Sequence, residues 1–315
     1  MKCNFCLSKD NKVIYEYTRF QRNNILKCQK CGLVFLETKK TKEETESFYD
    51  KEYREVEDLP RRSPEEMFND PVVKQDCKER IEWIKKNYDS LEGKKVIEIG
   101  SSAGYFLNTL SSNGAKVFGL ELTDNYLNYA KRLGFTVYSK PLEVMDFKDE
   151  FDLVVMFHVF EHVFNPMSTL QAIYKSLNKG GVFMGEIPNQ DDWRIKIFNS
   201  DTVKRFHYDP YHSYYFSPRT LNNYLKKCGF DNIKIETVER YNSLIQLKRI
   251  LSEEYNQKDI NQILKQNVFA KPKEDVRIPN LNNLQENNFN KMFGKGVNSE
   301  LMGNCLRWKA QKSNN

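Results

Sequence analysis

No run in the 315-residue chain reaches the roughly 20 consecutive apolar residues needed to cross a bilayer, and the opening MKCNFCLSKD lacks the apolar centre of a secretory signal. These absences argue against a membrane span and against export. A cytoplasmic setting is expected. There is also no long block of one charge: the formal charge is +6, and 49 basic residues are scattered among 43 acidic ones, so charge alone implies no nucleic-acid partner. Histidine is scarce, with four in the chain. What is present, 39% hydrophobic and 29% charged residues, suffices for a packed globular core and is too apolar for wholesale disorder. A core domain with small attachments is expected at this length.

Seven cysteines without a secretory signal do not read as disulfides. Four of them fall in two CxxC pairs, Cys3-Asn4-Phe5-Cys6 and Cys28-Gln29-Lys30-Cys31, which predict tetrahedral zinc on thiolates, with Gly32 letting the second turn fold back around the ion. Residues 1–36 are therefore expected to form a zinc ribbon with a strand near Val13 to Tyr17. Such a short unit has little core of its own, so metal would supply much of its folding energy. A redox dithiol is the alternative, although two pairs exceed what that chemistry needs. Lys2, Lys9, Lys12, Arg19, Arg22, Lys27 and Lys30 outnumber Asp10 and Glu16 here, a hint of RNA or DNA. The preferred reading is a closed clip that packs on the main domain or covers its substrate cleft, because base-stacking aromatics are not evident. Cys77, Cys228 and Cys305 are expected to be free, buried thiols.

Residues 37–92 are charged and interrupted by Pro60, Pro64 and Pro71, with helical spacing in Glu43 to Tyr53 and Val72 to Tyr88. They read as a helical linker or cap, whose Phe48, Tyr49 and Tyr53 either pack on the core or close over a substrate. From residue 93 short apolar runs alternate with amphipathic segments. KVIEIG, KVFGLEL, FTVYS, FDLVVMF, GVFMGEI and NIKIETVE read as strands, with helices at Tyr105 to Asn113, Asn125 to Leu133, Pro166 to Asn178 and Pro218 to Cys228. That alternation predicts an α/β, Rossmann-like doubly wound sheet with ligands at the C-terminal strand ends. The run Gly303 to Ala310 reads as a last strand, which makes residues 242–298 a helical insertion between neighbouring strands, a lid or an oligomer contact.

The stretch Glu98-Ile99-Gly100-Ser101-Ser102-Ala103-Gly104-Tyr105-Phe106 follows the first of these strands. Its glycines permit a tight turn that a ligand can approach, and amides at the helix start offer donors. The spacing is GxxxG, not the GxGxxG of dinucleotide folds, and the acidic Glu98 beside it suits a positively charged ligand better than a phosphate. Glu121 ends the second strand, where a carboxylate can accept from both hydroxyls of a ribose.

With these motifs, FDLVVMFHVFEHVFNP, LNKGGVFMGEIPN and HSYYFSPRTL, residues 94–312 resemble the class I S-adenosylmethionine-dependent methyltransferases. The resemblance implies that Glu98, Gly100, Ser101, Ala103 and Gly104 hold the methionine part of the cofactor, that Glu121 takes the ribose, and that Leu122 with Pro141-Leu142-Glu143 flanks the adenine. A zinc ribbon before such a core resembles the subgroup that holds sugar C-methyltransferases and related glycan or natural-product enzymes. The acceptor it implies is a small molecule, a sugar or nucleotide-linked sugar, methylated on oxygen, nitrogen or carbon.

All four histidines, His158, His162, His207 and His212, fall within 55 residues after the fourth strand. His158 and the pair Glu161-His162 sit at that strand's end, where the sulfonium methyl of the cofactor would lie, and His212 opens the following HSYYFSP loop. A neutral histidine, His162 or His212, can take a proton from the acceptor as the methyl group transfers. Alternatively His158-x-x-Glu161-His162 resembles the Glu-x-x-Glu-His metal site of ubiquinone O-methyltransferases, with histidine in place of the first glutamate. A third reading has Glu161 and His162 capping the next helix. Asp191, Asp192, Trp193, Tyr208, Tyr211, Tyr214 and Tyr215 form an aromatic and acidic region that either binds a sugar face or packs. The competing function is a zinc-ribbon protein that binds or modifies RNA. Against modification, the fourth strand lacks the NPPY-type motif of base-amine methyltransferases.

Overall fold

The computed structural model describes residues 1–37 apart from position 20, residues 63–240, most of 242–250, and 283–314. The expected helix at Glu43 to Tyr53 with its aromatic stripe, and most of the expected 242–298 insertion, lie outside the described residues.

The described residues fall into two units. The first draws on Met1–Lys39, Ile187–Leu221 and Ile235–Arg307, and the second on Lys40–Glu186, Asn222–Lys234 and Trp308–Asn315. Residues 187–221 thus group with the ribbon, whereas the alternation of strands and helices in the sequence would run them into the core.

In the first unit β1 (Asn11–Tyr17) pairs antiparallel with β2 (Arg22–Cys28), and β2 pairs with β3 (Val34–Leu36). The ribbon does not close on itself. After α6 (Trp193–Lys196) and α7 (Asp201–His207), the two-residue strand β9 (Tyr214–Tyr215) adds to β3, with Val34 opposite Tyr215 and Phe35 opposite Tyr214. Ile25, Val34 and Leu36 share a buried cluster with Tyr208 and Tyr215, so the small sheet borrows a core that its own residues could not make. Only the first of these strands is expected from the sequence. Arg22-Asn23-Asn24 opens β2 with polar residues, and β9 is too short to leave a period-2 signal.

In the second unit α1 (Pro64–Asn69) and α2 (Pro71–Asn87) precede β4 (Lys95–Ile99), α3 (Tyr105–Ser111), β5 (Lys116–Leu120), α4 (Asp124–Arg132), β6 (Thr136–Tyr138), β7 (Phe151–Phe157) and α5 (Pro166–Ser176). The chain continues through β8 (Leu177–Pro188), α8 (Pro218–Cys228), β10 (Phe230–Val238) and β11 (Cys305–Lys312), while α9 (Asn283–Ser299) falls in the first unit. The seven-stranded sheet runs in the order β10-β11-β8-β7-β4-β5-β6, and β4 pairs in parallel with both β5 and β7. Strands buried on both faces need near-continuous apolar runs, which FDLVVMF supplies, and β4 departs from this at the buried Glu98. The order turns outward in both directions from β4. The expected doubly wound α/β architecture is therefore present, with its switch point at the carboxyl end of β4.

Ile81, Trp83 and Ile84 of α2 pack with Val96, Phe106, Leu110, Leu153 and Val155 in a core cluster of the sheet region. Among the three free thiols, Cys77 and Cys305 are buried as expected, while Cys228 at the end of α8 is half-buried. Gly185 in β8 shows how close this packing is. A Cβ there would stand 2.3 Å from Trp308 Cζ2 and 2.5 Å from the Met156 carbonyl oxygen, and the carbonyl cannot step aside. Gly185→Ala is expected to lower stability by about 1–3 kcal/mol. Urea unfolding checks this, and an unchanged midpoint would show that the strand yields where we take it to be rigid.

Candidate active site

A cavity of about 610 Å3 opens at the carboxyl ends of β4, β5 and β7, and all of its lining residues fall within the second unit. Its wall includes Gly100 and Ser102 of the glycine turn, Glu121 and Leu122 after β5, Leu142 and Glu143 of a short 3-10 turn, and His158 and His162 after β7. Of the residues assigned to the cofactor from sequence, Glu98, Ser101, Ala103 and Gly104 stand behind that wall.

The glycine turn is shaped from two sides. Gly100 has φ +78°, a conformation that side chains avoid, and a Cβ placed on it would meet Val159 Cγ2 at 2.5 Å. The backbone N–H groups of Gly100 and Ser101 both donate to the Leu120 carbonyl, at 2.8 and 3.0 Å. Glu121 then fastens the turn to the end of β5: one carboxylate oxygen accepts the Ser102 N–H at 2.8 Å and the other accepts the Thr123 N–H at 2.8 Å. Because each oxygen keeps a second lone pair, the carboxylate can still accept from a ligand hydroxyl.

Glu98 lies at the end of β4 with 5% of its surface exposed. Burial pushes its carboxyl up to about 8, against the Arg80 guanidinium and assisted by the Glu121 carboxylate. Its Oε2 has no hydrogen-bond partner among the described residues, and neither has Nε of Arg80, whose guanidinium lies 4.6 Å above the Phe157 ring. Sequence reasoning misses Arg80. Its only signal is a cation on the inward half of an amphipathic helix.

His158 is a non-glycine residue at φ +54°, held by its N–H on the Glu186 carbonyl at 2.8 Å. That turn sets the ring between two buried carboxylates, with Nε2 2.9 Å from Glu186 and Nδ1 3.5 Å from Glu161. Burial opposes a charge on the ring, but the two carboxylates outweigh it and raise the pKa above the ordinary value. Both ring nitrogens thus face acids. Sequence reasoning also misses Glu186 as a partner, although a glutamate inside the apolar run FMGEI is its signal.

His162 is 8% exposed, lines the cavity, and has Nε2 4.0 Å from the Glu161 carboxylate. The expectation that Glu161 and His162 cap the next helix is corrected: the cap of α5 is Asn165, whose side-chain oxygen accepts from the N–H groups of Met167 and Ser168. The Asn amide is the better cap because it stands at the first extended position before the helical turn. Glu143 of the cavity wall meets the Thr169 hydroxyl on α5.

The remaining candidates belong to the first unit. His212 packs against Tyr215 with ring centroids 5.9 Å apart. His207 is buried, and that burial pushes its imidazole down to about 4, so it is neutral at pH 7. In the aromatic and acidic region Trp193, Tyr208, Tyr214 and Tyr215 are buried, and Asp192 forms a buried ion pair with Arg194 at 2.5 Å. Those residues pack, because each apolar ring there is covered by another element of its own unit. Asp191 and Tyr211 remain partly exposed.

Two knuckles bring the four ribbon thiols together. Cys3 and Cys31 have their Sγ atoms 3.5 Å apart, as have Cys6 and Cys28, and all four sulfurs lie within 4.8 Å of one another. Four thiolates at about 2.3 Å from a central ion would stand about 3.8 Å apart, so this set fits tetrahedral zinc.

A family profile described as a methyltransferase domain matches residues 73–235. The chain belongs to that methyltransferase family. Its sheet order and switch point are those of the class I, S-adenosylmethionine-dependent members, as the sequence resemblance implied. The methyltransferase is 26% identical over 180 residues to a ubiquinone biosynthesis O-methyltransferase of Bordetella avium, covering 53% of this chain and 74% of that one. It is 27% identical over 134 residues to the protein of the same name from Hydrogenovibrio crunogenus, a match covering 39% of this chain and only 55% of that relative's length. A tRNA U34 carboxymethyltransferase of Campylobacter hominis is 30% identical over 165 residues, 49% of this chain and 56% of the other. The preference against a nucleic-acid partner therefore has no support from the relatives.

Among solved structures, phosphoethanolamine N-methyltransferase 2 of Haemonchus contortus in complex with S-adenosyl-L-methionine superposes with a TM-score of 0.50 at 16% identity. The match covers 75% of this chain and 52% of that one, and it shows the shared fold. Among the described residues no helix is long and apolar enough to cross a membrane.

Proposed function

We propose that this methyltransferase transfers a methyl group from S-adenosylmethionine to an oxygen of a small acceptor. The observation that carries the reading is the Glu121 carboxylate, which ties the glycine turn to β5 and faces a cavity at the switch point of the sheet. Its free lone pairs suit a ribose diol, Leu122 and Leu142 suit the adenine faces, and Glu143 suits an exocyclic amine. Glu98, behind the turn, suits the ammonium of the methionine part, with Ser101, Ala103 and Gly104 shaping the turn between them.

When bound, the cofactor supplies a methyl carbon attached to a positively charged sulfur. The chain holds the acceptor in line with that carbon, and alignment supplies most of the rate. A neutral imidazole takes the acceptor's proton, and His162 on the cavity wall is the candidate for it, while His212 belongs to the first unit. His158, with both ring nitrogens turned to Glu186 and Glu161, instead holds those two carboxylates in place. The oxygen nucleophile is preferred because relatives named as O-methyltransferases match over half of the chain; a sugar-linked acceptor rests on the ribbon-plus-core resemblance alone.

Zinc on Cys3, Cys6, Cys28 and Cys31 is the second part of the reading, and its role is structural because four thiolates leave no open position. An RNA acceptor is the competing reading, favoured by the relative named for tRNA U34. Calorimetry with S-adenosylhomocysteine tests the donor site. Binding is expected, and Glu121→Ala is expected to weaken it about tenfold, the equivalent of one charge-assisted hydrogen bond. Wild-type protein that does not bind the analogue would end the reading. Labelled methyl transfer to tRNA but not to phenolic or sugar acceptors would move it to RNA.

A further inference from the structure

We infer that the cysteine ribbon is the clamp that orders residues 201–216, so that metal on the four thiols governs the shape of that segment and leaves donor binding alone, a reading that rests on the zinc role proposed above. Residues 201–216 contain one seven-residue helix and one two-residue strand, elements too short to hold a shape unaided. Their conformation must come from what they pack against.

Within the first unit the ribbon supplies that support at two points of the segment. At its middle the Arg19 N–H donates to the Tyr208 carbonyl at 3.0 Å, and the Tyr15 ring lies 5.6 Å from the Tyr208 ring. Near its C-terminal end β9 pairs with β3, and the Leu36 N–H donates to the Ser213 carbonyl at 3.2 Å. The link to the cysteines themselves is Asn4, the residue after Cys3, whose side-chain amide donates to the Tyr214 hydroxyl. His212 stands between the two anchor points, against Tyr215.

The ribbon has two supports of its own shape, the cysteine knuckles whose four sulfurs converge and the buried cluster that it shares with Tyr208 and Tyr215. Loss of the metal should therefore release the ribbon and the segment together. Donor binding has no such dependence, because every residue lining the cavity lies between Ile99 and Thr169. Tyr214 is on this account a positioning residue, acting on His212 through the backbone that joins them.

The test uses the full chain, with metal content measured before and after treatment with a strong chelator. Hydrogen exchange of peptides spanning 201–216 is expected to speed at least about tenfold on metal loss, reporting local opening, while affinity for S-adenosylhomocysteine stays within about twofold. Tyr214→Phe is the second arm, for the case in which metal-free protein aggregates. With zinc retained, it is expected to speed exchange of the same peptides and to spare analogue binding. Unchanged exchange at 201–216 in metal-free protein or in Tyr214→Phe overturns the clamp and leaves the zinc assignment standing. Analogue affinity that falls with the metal overturns the independence of donor binding from the ribbon. Purified chain without bound zinc overturns the zinc assignment, and the clamp with it.

Discussion

Gly100→Val is expected to reduce affinity for S-adenosylhomocysteine by more than about 100-fold while the protein stays folded, since two separate penalties fall on the same turn. The first is conformational: at φ +78° a β-branched residue crowds its own carbonyl, so the backbone would rotate toward negative φ. The second is steric, because the new Cβ would lie 2.5 Å from Val159 Cγ2 on the loop that follows β7. Relief of either one moves the turn away from the Leu120 carbonyl and from Glu121, the two groups that set its shape. Calorimetry measures the loss, and circular dichroism with urea unfolding shows that the fold remains. Affinity within a few-fold of wild type would mean that the turn does not cradle the donor.

The fold around that turn was legible because two periodicities agree in it. Strands such as Phe151–Phe157 are continuous apolar runs, helices such as Pro218–Cys228 are amphipathic, and their alternation leaves few topologies to choose from. Glycine spacing and an acid at each of two strand ends then marked the side proposed here for the donor. The pairing of Glu121 with two backbone amides could not be read, since it depends on how the turn after β4 leans toward β5. Glu186 beside His158 was equally hidden, as it comes there only through the parallel pairing of β7 and β8, whereas Glu161, three residues on from His158, stands out in the sequence itself.

The ribbon was legible in its chemistry and not in its extent. Two CxxC pairs announce a metal whatever surrounds them, and the sulfurs do converge. What the pairs cannot announce is that their small sheet is completed by Tyr214 and Tyr215, far along the chain. A two-residue strand carries no pattern, and the tyrosines around it suit a sugar platform as well as a packed core. Burial decided that question, with Tyr208, Tyr214 and Tyr215 all covered.

Glu98 gives the folded protein a pH-dependent stability. Its carboxyl is raised from an ordinary 4.5 to about 8, chiefly by burial, so the folded chain keeps a proton that the unfolded chain has released across that interval. The stabilising contribution of this group is complete below about pH 4.5 and is lost as pH rises through 8. Glu98→Gln mimics the protonated form at every pH. Its stability should come close to wild type near pH 5 and exceed it at pH 9 by on the order of 3 kcal/mol or more, since each tenfold difference in proton affinity between the folded and unfolded chain is worth about 1.4 kcal/mol. The same substitution removes the negative charge that a bound ammonium would draw out of Glu98, so analogue affinity should fall, about tenfold at pH 8, while stability rises. Urea unfolding of both proteins from pH 5 to 9, with calorimetry at pH 8, measures the two effects. A stability gap that does not widen with pH would show that Glu98 is ionised in the folded protein, and an unchanged affinity would place the ammonium of the donor elsewhere.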